Sequence, residues 1–210
     1  QGGLTVERYH MTKTLLEAWQ YTFDCFEGCE DDAMSDFLKT LNREPVDETV
    51  AMINGHKFED RAYRLARGET VRKDAEWLKG ANAVADIIRG AQFQVLARRD
   101  IEVDGMTFEV MGYLDALKAG TIYDLKFLNK KMDGVDLYGK YLNCSQHPAY
   151  FYIVPEAREF QYLVSDGEDV YIETYERAQS RHISEFIHDF AEWLRGAGLM
   201  ETYKEKWLLP

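Results

Sequence analysis

Cysteine is scarce in this sequence. Cys25, Cys29 and Cys144 are its only three, spread over 210 residues. An odd, scattered set excludes a disulfide framework of the kind that staples small secreted domains, and fits a reducing cytoplasm. Cys25 and Cys29 have the i, i+4 spacing of one helix face. Two soft ligands with no nearby His or second Cys pair make no zinc site, so they read as small half-buried thiols. Also lacking is any run of about 18 apolar residues, which leaves no membrane span, and no secretory signal is visible at the start. The Gln1-Gly2 opening, without Met, reads as the remnant of a cleaved tag and is left out of the fold argument. Positive charge is short as well. With 25 Lys and Arg against 37 Asp and Glu, the net charge is −12, the wrong sign for a protein that coats nucleic acid. Repeats and low-complexity linkers are absent.

What is present is an ordinary globular balance, 46% apolar and 30% charged, in a chain long enough for one domain with a sizeable core. The first third reads as helical. Leu15, Leu16, Trp19 and Phe23 recur at helical spacing over residues 12–26, and Met34, Phe37, Leu38 and Leu41 over 31–41. A third helix is expected over 47–67, with Asp47 as N-cap and a stripe of Gly55, Phe58, Ala62, Leu65 and Ala66. A fourth spans 74–89. The pattern then turns to strands over 93–103, 106–117 and 121–128, joined at Asp104-Gly105 and Ala119-Gly120, the first a strong two-residue hairpin signal. After a polar loop (129–139) come a helix over 145–153, strands over 160–164 and 170–175 around Asp166-Gly167, and a last helix over 178–195 closed by Gly196 and Gly198. This order predicts a mixed α/β (α+β) domain. Its parts are a helical extension (1–45), a core (46–177) and C-terminal helices (178–210).

The second hairpin carries the chemistry. With a two-residue turn at Ala119-Gly120, Lys118 faces Thr121, Leu117 faces Ile122 and Asp115 faces Asp124. Directly opposed side chains stand about 4.5–5.5 Å apart on one side of the sheet. Two carboxylates there repel, and a divalent cation between them removes the penalty. Lys126, two residues beyond Asp124, lies on the same face. The alternative is a polar, solvent-facing sheet edge. Glu59 falls inside the apolar stripe of its helix, so it sits at the core rim or is held by a partner, a metal or an Arg. Gln146 and Tyr150 share a face at i, i+4, placed either to touch a nucleic-acid strand or to form an ordinary helix pair. Basic residues gather in three groups: Arg61, Arg64, Arg67, Arg72 and Lys73; Arg98 and Arg99; Lys126, Lys130, Lys131 and Lys140. Each alone reads as a solvated face.

Taken in order, Gly55-His-Lys-Phe-Glu59, Gly112-Tyr-Leu-Asp115, Asp124-Leu-Lys126 and Gln146-His-Pro-Ala-Tyr150 resemble the RecB-like, phage-type exonuclease branch of the PD-(D/E)XK nucleases, over residues 12–175. The resemblance implies a restriction-endonuclease-like core, a central mixed sheet flanked by helices. It implies a DNA nuclease, by analogy an exonuclease of phage or prophage replication, recombination or repair, that uses magnesium or manganese. Asp115, Asp124 and the carbonyl of Leu125 would bind the metal, and Glu59 would complete the shell. Lys126 would be the catalytic lysine, and Gln146 and Tyr150 would position the strand. Many relatives place a His on the first motif helix. Here the acid is Glu59, and His56 lies on another face. The early Cys25 has no late cysteine cluster to join, so no iron–sulfur cluster is expected. No helicase segment is present, so a recombination or helicase partner would be a separate chain, and a homo-oligomer is the other arrangement the relatives allow. Two further readings compete: a catalytically silent module of the same fold that binds nucleic acid, and a scaffold whose hairpin is only a wet face.

Overall fold

The computed structural model of the protein describes residues 7–210. The Gln1-Gly2 opening lies outside them. Six strands among the described residues form one mixed sheet: β1 (Arg8–Thr12), β2 (Gln92–Val103), β3 (Met106–Lys118), β4 (Thr121–Phe127), β5 (Glu159–Ser165) and β6 (Val170–Glu176). Seven α-helices flank it: α1 (Lys13–Asp24), α2 (Glu30–Leu41), α3 (Val50–Ala66), α4 (Leu78–Ile88), α5 (Gln146–Ile153), α6 (Ile183–Gly196) and α7 (Met200–Trp207). The expected class, a central mixed sheet between helices consistent with a restriction-endonuclease-like fold, is the one found.

Period-2 alternation on the central strands builds two cores. Ile122, Phe160, Tyr162 and Val164 pack with Leu15 and Leu16 of α1, Phe37 of α2, and Phe186 and Phe190 of α6. Tyr123, Leu125 and Leu163, one residue out of phase, pack with Phe58 and Ala62 of α3 and Val84 and Ile88 of α4. Each strand of this centre is therefore apolar on both faces, as a sheet covered by helices requires.

The long β3 organises the sheet. Along one side it pairs with β2 over its length, from Val103↔Met106 to Gln92↔Leu117. Its other side is shared end to end. Parallel β1 takes residues 107–111, and antiparallel β4 takes only 116–118. Residues 112–115 of β3 therefore face a gap between the end of β1 and the start of the β4 ladder. Strand β4 then runs parallel to β5, with α5 in the connection, and β6 closes the far edge antiparallel to β5.

Both hairpin turns have positive φ at their two central residues, 51° and 75° at Asp104-Gly105 and 51° and 84° at Ala119-Gly120. That is the geometry a two-residue hairpin connection favours. Several expectations are corrected. The N-cap of α3 is Thr49, whose hydroxyl accepts from Met52 N at 3.2 Å, and not Asp47. Helix α4 begins only at Leu78, because Trp77 adopts a left-handed conformation (φ 56°). Cys25 and Cys29 do not share a helix: they bracket the loop between α1 and α2. Strand β1 has no counterpart in the expected element order, and helix α7 falls within the expected C-terminal helices (178–210) without bounds of its own.

Candidate active site

The gap on β3 is where the predicted residues meet. The expected register holds through Lys118↔Thr121, Leu117↔Ile122 and Ala116↔Tyr123, then the ladder stops. At the next position the backbones part, and the Asp115 carboxylate accepts the Leu125 N–H at 2.9 Å in place of a backbone carbonyl. Alternation also breaks on β2 and β3 here. Val95 and Leu114 pack into the first core, while Phe93 and Ala116, two residues away, pack into the second. Between them, Gln94 has a left-handed backbone (φ 52°) across from Asp115. Its amide donates to the Tyr63 hydroxyl at 3.0 Å and lies 3.5 Å from Asp115 Oδ1.

Asp124 is the centre of the cluster. Its side chain is 3% exposed, and Lys126 Nζ stands 2.8 Å from Oδ2. Lys13 Nζ stands 3.6 Å from Oδ1 and 3.9 Å from Glu17 of the next helical turn. The Gln146 amide donates to Oδ1. Burial alone would raise the Asp124 pKa, but Lys126 and Lys13 outweigh it and hold this carboxyl below the usual range. Burial likewise works against the charge on Lys126, and the Asp124 charge overcomes it. Asp115 has no lysine so close. Burial and the Asp124 charge push it up to about 6, although the Leu125 N–H pulls the other way. Glu59, reaching in from α3, is pushed up to about 7 by burial and then by Asp115 and Asp124.

The α5 residues are tied to this centre from inside. Gln146 and Tyr150 are 1% and 2% exposed, so neither is open to a strand in this structure. Gln146 is bound to Asp124, and the Tyr150 hydroxyl donates to the Tyr113 carbonyl at 2.8 Å. The direct strand contact expected of them gives way to a different placement, in which they brace Asp124 and the β3 backbone. Gly112 is what lets Tyr150 in: a Cβ there would collide with the Tyr150 ring, 3.1 Å from its Cζ and hydroxyl oxygen.

The structure thus brings Glu59, Asp115, Asp124, Leu125 and Lys126 to one place. Sequence reasoning missed Lys13. The only signal for it was a lysine at a helix start, after a strand too short to recognise. Of the first basic group, two members are paired with acids, Arg64 with Glu69 at 3.0 Å and Arg72 with Asp74 at 2.6 Å.

The donor chemistry fits a hard divalent cation in part. Two mutually repelling carboxylates, a third acid beside them and the adjoining backbone carbonyl of Leu125 are oxygen ligands of the right kind. Yet the buried Asp124 Oδ2 atom faces Lys126 Nζ at 2.8 Å, so its charge is already met by an ammonium. No three His, Cys, Asp or Glu side chains among the described residues stand close enough to hold an ion together. Two lysines lie where a cation would neutralise Asp124.

Comparison with known proteins supports the fold alone. No protein-family model matches the sequence, and no curated protein matches it. Among solved structures, SSO0001 superposes with a TM-score of 0.53 at 13% identity, over 92% of this chain and 78% of that one. LHK-Exo, solved in complex with dAMP, superposes with a TM-score of 0.47 at 14% identity, over 93% of this chain and 92% of that one. That second likeness is too loose to bear on the argument. No helix among the described residues is long and apolar enough to cross a membrane.

Proposed function

We propose that this protein is a metal-dependent nuclease that hydrolyses phosphodiester bonds of DNA, in the manner of an exonuclease. One observation carries the reading: two mutually repelling carboxylates, half-buried Asp115 and buried Asp124, meet two lysines where a pair of strands parts. Structural packing alone gives no reason to concentrate these charges.

Asp115, Asp124 and the Leu125 carbonyl, with Glu59 beside them, would hold magnesium or manganese, which supplies phosphoryl polarisation and a more acidic bound water. The protein's own groups supply the rest. The Lys126 ammonium, anchored by Asp124 at 2.8 Å, offers a hydrogen bond to the attacking water or to the negative charge that grows on the phosphate. Lys13 adds a second positive charge from the other side of Asp124. Gln146 fixes the Asp124 carboxylate, and Tyr150 fixes the β3 backbone two residues before Asp115. In hydrolysis the water oxygen bonds to phosphorus, the P–O bond to the leaving nucleotide breaks, and the water's proton ends on solvent or the leaving oxygen.

One observation favours a second reading, a silent nucleic-acid-binding module. Lys13 and Lys126 already neutralise Asp124, so this acid needs no cation for charge balance. End-labelled linear DNA, single- and double-stranded, separates the two. With manganese or magnesium, label is released by the native chain and not by Asp124→Ala or with a chelator present. Absence of metal-dependent release under every condition selects the silent module.

A further inference from the structure

The Arg98-Arg99 pair is not absorbed by the site above, and Arg99 belongs to a second charged feature. A pocket of about 300 Å³ opens where α5 meets the start of α6, lined by Arg99, Arg177, Arg181, His182, Phe151 and Tyr152 among others, none of them acidic. The chain as a whole carries −12, and the other concavity with three guanidinium groups, Arg61, Arg64 and Arg72, has Asp60 in its lining, whereas this one has no acid.

The three arginines differ. Arg181 is neutralised, 2.9 Å from Glu185 and 3.1 Å from Asp189. Arg177 is half-buried and held by neutral partners: its Nε and Nη2 donate to the carbonyls of Ala157 and Val154 at 2.8 and 2.6 Å. Burial and the neighbouring Arg99 both work against its charge and hold its pKa below the usual range, with Glu156 offsetting them only in part. Arg99 lies over the Tyr152 ring, 4.8 Å from its centroid, and its Nη1 is 3.4 Å from the Tyr152 carbonyl. Arg99 and Arg177 therefore line one space, and no carboxylate lines it with them. Arg99, with one long contact at Nη1, and the N–H groups of Arg177 left beyond its two carbonyl partners suit a phosphate oxyanion.

Position favours one source of phosphate. Helix α5 touches both places, with Gln146 bound to Asp124 at one end and Tyr152 under Arg99 at the other. Along α5 the separation is about 9 Å at 1.5 Å per residue. Along β2, from Gln94 to Arg99, it is about 17 Å at 3.4 Å per residue. A stacked strand covers this in roughly three to five nucleotides.

We infer that this pocket is a second phosphate site, in which Arg99 and Arg177 hold a backbone phosphate of a single strand whose end lies at the Asp115–Asp124 cluster. The inference rests on reading that cluster as a nucleic-acid site, and its test is one of binding, so it survives or fails apart from catalysis.

Fluorescence anisotropy on the Asp124→Asn chain, which cannot cleave, compares a dinucleotide with a strand of about 12 nucleotides, each titrated across salt. The longer strand binds more tightly. Adding Arg99→Glu weakens its binding roughly tenfold, lowers the slope of log K against log salt by about 1, and leaves the dinucleotide unchanged. Arg99→Lys, which keeps the charge, retains most of the slope. Because Arg99 is exposed, these variants fold, which circular dichroism verifies. Equal loss for both lengths, or no change for either, overturns the inference. Titration of inorganic phosphate and dAMP by calorimetry gives the remaining arm. Arg99-dependent binding of these ligands, with no Arg99 effect on the longer strand, makes the pocket a site for free phosphate and overturns the strand assignment. Arg99-dependent strand binding by a native chain that releases no label keeps the pocket and removes the nuclease.

Discussion

Glu59 and Asp115 have pKa values pushed up to about 7 and about 6, each by burial and by the charge of its acidic neighbours. A carboxyl raised on folding binds its proton more tightly in the native state, so the metal-free protein gains stability as pH falls through those values. The gain is complete only below the unfolded values near 4 and is lost as pH rises past 7. Metal-free protein is expected to melt higher at pH 5.5 than at pH 8 by about 1 kcal/mol, because buried His147, held down to about 4 by burial, costs stability as pH falls over the same range and offsets part of the gain. Asp115→Asn, which keeps an oxygen for the Leu125 N–H, should raise the melting temperature at pH 8 and flatten the profile. A melting temperature that falls on acidification over this range, or a large loss in Asp115→Asn, would mean that repulsion does not dominate the site. Lys126 offers the companion measurement. Its ammonium lies 2.8 Å from Asp124 and donates toward the reacting phosphate on the proposed reading. Lys126→Ala should therefore lower kcat by about 10²–10³ while strand affinity changes little. Single-turnover cleavage against anisotropy checks this, and retained kcat removes Lys126 from the chemistry.

At the scale of elements, the site depends on how closely α5 approaches β3. The Tyr150 hydroxyl reaches the Tyr113 carbonyl only because Gly112 has no side chain. Gly112→Ala is expected to push the buried ring or the strand aside and cost about 1–3 kcal/mol, the usual penalty for overpacking. Combined with Tyr150→Leu, which shortens the ring, the loss should be partly recovered; denaturant midpoints of the two singles and the double measure the coupling. Additive losses would show that the two residues do not contend for one space. The central hairpin was legible in the sequence for a related reason. Asp104-Gly105 and Ala119-Gly120 state their turn chemistry locally, so the register from Lys118↔Thr121 to Ala116↔Tyr123 was readable, while the expected direct pairing of Asp115 with Asp124 is not formed. What happens one step past Ala116↔Tyr123 was not legible. Beside that point lies Gln94, with a left-handed backbone and side-chain contacts to Tyr63 and Asp115, both distant in the chain. Gln146 and Tyr150 were correctly placed on one helix, but a spacing of four says nothing of whether that face meets a strand or a buried carboxylate.

The two described ends of the chain meet, and Lys13 of the Asp115–Asp124 cluster follows directly on one of them. Strand β1 has five residues, pairs with β3 about a hundred positions away, and leads directly into Lys13, whose partner Asp124 is as distant. No local pattern announces such an element, and for the same reason Lys13 was overlooked. Helix α7, mostly polar in sequence, could not be delimited locally either. Its contribution comes from three contacts: the Tyr203 hydroxyl donates to the His10 carbonyl at 2.7 Å, Trp207 Nε1 donates to the Leu41 carbonyl at 2.8 Å, and Leu209 N donates to the Arg8 carbonyl at 2.7 Å. Tyr203 and Trp207 are both buried in the first core. Removing residues 199–210 therefore uncovers β1 and the end of α2 together. Burying side chains of this size is worth about 3–5 kcal/mol each against their loss, a large part of the stability of a single domain. The truncated chain is expected to unfold well below the full chain in denaturant. Under conditions where it stays folded, Arg8, Tyr9 and His10 should lose amide protection first, and activity should fall because Lys13 is no longer held beside Asp124. Hydrogen exchange at β1, compared with β5 in the sheet interior, separates these effects. Protection lost at β1 and kept at β5 supports a closure that serves the site. Equal loss at both would make α7 a general part of the core with no special bearing on Lys13. The point variant Tyr203→Phe, which removes only the hydroxyl, should shift β1 exchange in the same direction by a smaller amount, about 1 kcal/mol for one hydrogen bond.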